Sequence, residues 1–115
     1  MALLSAEELR EEIQQEDFDA ITGGDDTIAE NAVENARDRI TAVVERFGLE
    51  YDEEDKVIRL ALKKMALCEL YTYSADWVEA ENFRKEASDI LAPLAPVRVA
   101  ESAVKGGSSD WNCFS

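Results

Sequence analysis

Histidine is absent from the 115 residues. Its absence removes the commonest general base near neutral pH and the commonest transition-metal ligand. Neither a Ser–His–Asp nor a Cys–His centre can be assembled from this chain alone. Cysteine is scarce too, with only Cys68 and Cys113. Neither belongs to a C-x-x-C pair, so zinc-ribbon and thioredoxin-like chemistry have no support. Cys68 lies in an apolar run and reads as a small buried hydrophobe, and the sparse usage suits a reducing compartment. Two prolines and five glycines are few turn-makers for a strand-rich domain, which points to helices. No stretch of about 18 apolar residues offers a membrane span. The first residues turn acidic by Glu7 without a cationic segment and apolar core, so no secretory signal is expected.

Acid is what the chain has in excess. Acidic residues number 26 against 12 basic ones, a net charge of −14. Residues 1–55 carry 18 acids and 4 bases, whereas residues 56–115 carry 8 of each, so the imbalance lies entirely in the first half. Such a surface repels nucleic-acid phosphates and anionic lipid. It suits a basic protein partner, or a conduit through which DNA must slide without sticking. At 46% hydrophobic and 33% charged, the composition is that of one folded domain.

Capping patterns and apolar spacing predict about four helices. Ser5-Ala-Glu-Glu8 has the form of a capping box, followed by Leu9 and Ile13 on one side. A short turn at Asp17–Thr22 carries Phe18 and Ile21 and stops at Gly23-Gly24. Thr27 and Glu30 form a second capping box. Ala29, Val33, Ala36, Ile40, Val43 and Phe47 then recur at helical spacing up to Gly48, a C-terminal cap. The opposite face bears Glu34, Asp38, Thr41 and Glu45. An acidic connection, Leu49–Asp55, leads into a helix from about Glu54 to Tyr73 that is apolar around most of its circumference, the mark of a central helix. Asp76 caps a last helix bearing Trp77, Ala80, Phe83, Ala87, Ile90 and Leu91, which Pro93 ends. Trp77 and Tyr71 read as core residues. Ala92–Pro96 reads as a stiff extended spacer, and Lys105–Asp110 has a flexible linker composition. The expected organisation is all-α: a helical bundle over 1–96 and an extended C-terminal arm over 97–115.

Carboxylates are abundant, but a glycosidase pair needs a cleft lined with sugar-binding aromatics. Here Glu34, Asp38, Glu45, Asp52 and Glu53 read as a solvated acidic face, toward a lumen or a basic partner. Asp17 and Asp19 open an EF-hand-like series, but Ile21 and Thr22 occupy positions that require an acid and Gly. No metal or cofactor is expected, and with no phosphate loop no reaction class can be named. Lys56, Arg59 and Lys63 form a narrow basic stripe, suited to pairing with the acidic half within a chain or between subunits in head-to-tail rings. Trp111 and Phe114 follow a Gly-Gly-Ser-Ser tether and are costly to leave in water. They, with Val97 and Val99 of an alternating segment, read as docking anchors for a partner or neighbour, or as plugs for the chain's own core.

The order of pieces over roughly residues 3–92 resembles the small helical neck proteins of tailed bacteriophages, the head–tail connector or adaptor family, including its Mu-like branch. The resemblance lies in the Ser-Ala-Glu-Glu-Leu start and in the helix containing Ala-Arg-Asp-Arg-Ile. It extends to the apolar helix ending Ala-Leu-Cys-Glu-Leu-Tyr and to the last helix with Phe83, Ala87 and Leu91. Where that branch often has Arg-Tyr-Pro, this chain has Arg46-Phe47-Gly48. The resemblance implies a non-enzymatic virion protein, made in the bacterial cytoplasm. Its members form a ring, commonly a dodecamer, below the portal protein; the ring extends the DNA channel and receives the next neck or tail protein. It implies that Lys105–Ser115 is an arm reaching the portal or a neighbour. The competing reading is an acidic, DNA-mimic-like module that occupies a basic partner surface.

Overall fold

The computed structural model describes residues 3–95. The predicted arm, with Val97, Val99, Trp111 and Phe114, lies outside the described residues. Within them the fold is all-α: α1 (Ala6–Arg10), α2 (Gln15–Thr22), α3 (Asp26–Arg46), α4 (Lys56–Tyr73), α5 (Trp77–Leu91) and a closing 3-10 turn (Ala92–Leu94). Five helices stand where about four were expected, because the short turn around Phe18 is a complete helix of 8 residues.

The caps explain most boundaries. The Ser5 hydroxyl accepts from the Glu8 N–H, as the sequence predicts. The reciprocal half of that capping box is not used, since the Glu8 carboxylate turns instead to Arg59. At α3 the cap is Asp25, not Thr27: its carboxylate accepts from the Thr27 N–H, and Thr27 already lies inside the helix. Asp55 caps α4 by accepting from the Val57 and Ile58 N–H groups, so α4 starts two residues later than expected. Asp76 caps α5 through the Glu79 N–H. Ala92–Leu94 winds into a 3-10 turn rather than an extended spacer, and among the described residues of that stretch only Ala95 is extended (φ −65°, ψ 137°).

Two helix ends share one device. After α3, the Gly48 N–H donates to the Glu45 carbonyl and the Leu49 N–H to the Val44 carbonyl. After α4, the Ala75 N–H donates to Thr72 and the Asp76 N–H to Tyr71. Both are Schellman closures, which need a left-handed residue in the second-last place of the motif. Gly48 takes that conformation freely at φ +82°; Ala75 takes it at φ +63° with its β-carbon in the way.

Helices α3 and α5 flank α4 and hardly touch one another. The Arg39–Glu69 and Lys64–Glu86 ion pairs set the register of an up-down-up layer. Small residues (Ala29, Ala32 and Ala36 on α3; Ala80 and Ala87 on α5) are buried and let both helices approach α4 closely. Leu62, Met65, Leu67 and Leu70 of α4 are fully buried between them, with Ile40, Val44 and Leu91. Val44 takes the core place that the spacing rule gave to Val43, which sits half-buried at the edge with Phe47. The N-terminal segment with α1 and α2 lies along the α3–α4 seam and buries Leu4, Leu9 and Phe18 there. The molecule is thin, 45 × 33 × 18 Å.

Candidate functional site

The most connected polar group is one that the sequence places on the surface. Glu53 is 5% exposed. Its carboxylate accepts from the Leu4 backbone N–H (2.5 Å) and from the Tyr51 hydroxyl (2.7 Å). It also accepts from Arg37 through Nε (2.6 Å) and Nη2 (3.0 Å). The Arg59 guanidinium donates to the Glu53 carbonyl (3.2 Å), and Arg37 reaches the Leu4 carbonyl (3.4 Å). Glu53 is therefore a correction to the predicted acidic face. Leu4 and Arg37 close over it, and burial is tolerated because four donors replace water. Burial by itself pushes the carboxyl upward; the hydrogen bonds from Arg37, Leu4 and Tyr51 outweigh it and bring Glu53 down to about 2. The Tyr51 hydroxyl is pushed up by burial and by its bond to Glu53, and the Arg37 guanidinium is held more basic by Glu53. A carboxylate so fully occupied does not exchange protons near neutrality. It fastens the N-terminal segment, α3 and the α3–α4 connection together.

The remaining acids of that predicted face, Glu34, Asp38, Glu45 and Asp52, are exposed. The basic stripe is divided. Arg59 pairs with Glu8 (2.5 Å) and Lys63 with Glu12 (3.7 Å), both on the N-terminal segment, while Lys56 is exposed. Arg10 reaches Asp26 (2.9 Å) and lies over the Phe18 ring. The acidic first helix is thus spread along the cations of α4, and the charge separation seen along the chain is partly neutralised inside one subunit.

A second feature lies at the α4–α5 turn. Tyr73, Trp77 and Val78 are 63%, 65% and 72% exposed. Trp77 is thus not a core residue. It is the first residue of α5, beyond the end of α4, and no element among the described residues covers it. Tyr71, two residues before Tyr73, is half-buried and stacks on Phe83 with ring centroids 5.5 Å apart. Grooves open beside this apolar tip. One, of about 260 Å³, is lined by Arg39, Cys68, Thr72, Trp77, Ala80 and Arg84 among others. Another, of about 250 Å³, runs between α3 and α4 past Asn31, Asn35, Glu69 and Tyr73. The guanidiniums of the first groove are engaged, Arg39 with Glu69 (3.3 Å) and Arg84 with Glu81. Burial pushes the Cys68 thiol up, so it is a poor nucleophile. Among the described residues no group of three or more His, Cys, Asp and Glu is placed to hold a metal ion, and no helix is long and apolar enough to cross a membrane.

Sequence reasoning missed both features. The buried hub joins residues 16 and 49 positions apart, and no local spacing announces such a pair. The only signal was a lone Tyr51 and Glu53 in an otherwise solvated connection beside Arg37 on the edge of the helix stripe. For the tip, the signal was the position of Trp77 immediately after its own N-cap. Set against known proteins, the chain matches no family model, no curated protein and no solved structure.

Proposed function

We propose that this chain is a structural head–tail connector of a tailed phage or phage-like particle. In this reading it works without catalysis, as a subunit of a ring below the portal that extends the DNA channel and receives the next neck or tail protein. Its place is then the virion neck. The observation that carries the reading is the apolar tip of Tyr73, Trp77 and Val78, held on a thin helical layer. Exposed Trp and Tyr side chains are among the residues that dominate protein–protein contacts. The acids left in water on α3, Glu34, Asp38 and Glu45, supply what a DNA channel or a basic neighbour requires. The arm, with Trp111 and Phe114, would add a tethered contact to the portal or an adjacent subunit.

The test is the mass of the full chain in solution together with negative-stain imaging, repeated with Trp77→Ser. Multisubunit rings that Trp77→Ser abolishes support the connector. A second reading has its own support in Glu34, Asp38, Glu45 and Asp52: an acidic module seated on a basic protein surface. It predicts a monomer whose binding to a basic partner weakens steeply with salt and with charge-removing changes at those residues, and which ignores Trp77→Ser.

A further inference from the structure

The chain before Gly23 is fastened to the body almost entirely through side chains. Among the described residues, one backbone–backbone hydrogen bond joins residues 3–22 to residues 25–95, and it belongs to the connecting turn: the Asp25 N–H donates to the Thr22 carbonyl (3.0 Å). Side chains supply the other polar fastenings. Arg10 reaches Asp26 at the start of α3, and Glu8 and Glu12 reach Arg59 and Lys63 on α4. At the N-terminal end, Glu53 holds the Leu4 N–H and Arg37 the Leu4 carbonyl. The three ion pairs are all partly exposed, where water and salt keep the worth of such a pair small. Leu4, Leu9 and Phe18 add the apolar part of the fastening.

The connecting turn has the build of a hinge. Gly23 and Gly24 both lie in the left-handed region, at φ +62° and +83°. A β-carbon placed on either glycine would meet nothing within 4 Å, so no neighbour is packed against the turn there. Beyond it, α3, α4 and α5 hold a core of their own, with Leu62, Met65 and Leu70 of α4 fully buried alongside Ile40, Val44 and Leu91. A segment held by few buried side chains and no backbone ladder opens at a lower free energy than the core it rests on.

We propose that residues 3–22 form a hinged strap, which opens as one unit about Gly23–Gly24 while α3, α4 and α5 stay folded, and that the Glu53 hub is its latch. Opening bares the part of the α3–α4 seam that lies under Leu4, Leu9 and Phe18. The motion takes place within one subunit and does not depend on the connector reading.

Amide hydrogen exchange of the full chain, followed residue by residue by NMR, tests it on wild type, Glu53→Gln and Leu91→Ala. The probes are the Leu9 and Phe18 amides, which donate to the Ser5 and Gln14 carbonyls inside the strap, and the amides of α4 and α5 in the body. Leu91 is buried on α5, so Leu91→Ala weakens the body whether the strap is closed or open. It is expected to speed exchange in α4 and α5 by about 30-fold or more and to leave Leu9 and Phe18 unchanged. Glu53→Gln is expected to speed Leu9 and Phe18 together, by a factor on the order of 100, although no hydrogen bond of Glu53 reaches α1 or α2. Acceleration of Phe18 by Leu91→Ala to the same extent as the body overturns separate opening. A Phe18 amide that ignores Glu53→Gln overturns the hub as latch of a single unit and leaves only local fraying. Should Leu91→Ala fail to fold, wild-type exchange in urea below the unfolding transition decides. A shallow urea dependence at Leu9 and Phe18 against a steep one in α4 supports the strap, and equal slopes overturn it.

Discussion

A carboxylate that accepts four hydrogen bonds in a nearly dry site is stable there only while it is charged and its donors are present. Glu53 meets both conditions through Arg37, Tyr51 and Leu4. Its folded value of about 2 lies below the ordinary 4.5. Its contribution is therefore whole above pH 4.5 and is lost as pH falls toward 2, an effect on the order of 3 kcal/mol. The general acidity works in the opposite sense. Protonating the exposed carboxylates as pH approaches the pI of about 4.2 relieves self-repulsion. The difference between wild type and Glu53→Gln isolates the hub. Glu53→Gln should cost about 3 kcal/mol at pH 7 in urea unfolding, because Arg37 is left without its counter-charge, and its deficit should shrink as pH is lowered toward 2. An equal deficit at both pH values would mean that the side chain acts by packing alone. This site was illegible in the sequence for a physical reason. Asp52, Glu53, Glu54 and Asp55 are chemically alike in a row, and only tertiary contact with residues far along the chain decides which of them is buried.

At the scale of elements, short-range chemistry was readable and long-range chemistry was not. Ser5, Asp76 and Gly48 act as caps where the local pattern put them, since a cap needs only its own next few residues. The boundary shifted at α3, where Asp25 stood two places ahead of Thr27 and offered the better acceptor. Trp77 was misplaced because a helical wheel records direction and says nothing of whether a neighbouring element extends far enough to cover it. The closure after α4 carries a prediction of its own. Ala75 sits at φ +63°, a left-handed conformation that costs an L-residue about 1–2 kcal/mol. Against the extra chain entropy of glycine, Ala75→Gly should raise stability by about 0.5–1 kcal/mol, read as a higher urea midpoint with unchanged slope. A lower midpoint would mean that the alanine methyl makes a packing contact worth more than the strain. Trp77→Ser should leave monomer stability within about 0.5 kcal/mol by the same measurement, as for other surface changes. A loss of several kcal/mol would place the indole in the fold rather than on a contact surface.

For the whole molecule, the all-α class and the central place of α4 followed from composition and from the largely apolar circumference of residues 57–71, because a helix with only a narrow polar stripe must be covered on several sides. What did not follow was how the charge is arranged. The acids of the N-terminal segment lie against Arg59 and Lys63, so part of the asymmetry along the chain is neutralised within the subunit, while Glu34, Asp38 and Glu45 on α3 remain in water. The thin layer therefore presents an acidic helix and, at the α4–α5 turn, an apolar tip. A head-to-tail contact between that tip and a different surface of the next copy is of the kind that closes into rings. The proposed connector role requires the chain to assemble through the tip. The most direct test is light scattering of the full chain across a wide concentration range, with negative-stain images of the largest species and Trp77→Ser as the paired control. The account predicts masses rising above 12.8 kDa, ring-shaped particles, and loss of both in the variant. A mass of 12.8 kDa at every concentration, with no particles and no difference between wild type and Trp77→Ser, would contradict it.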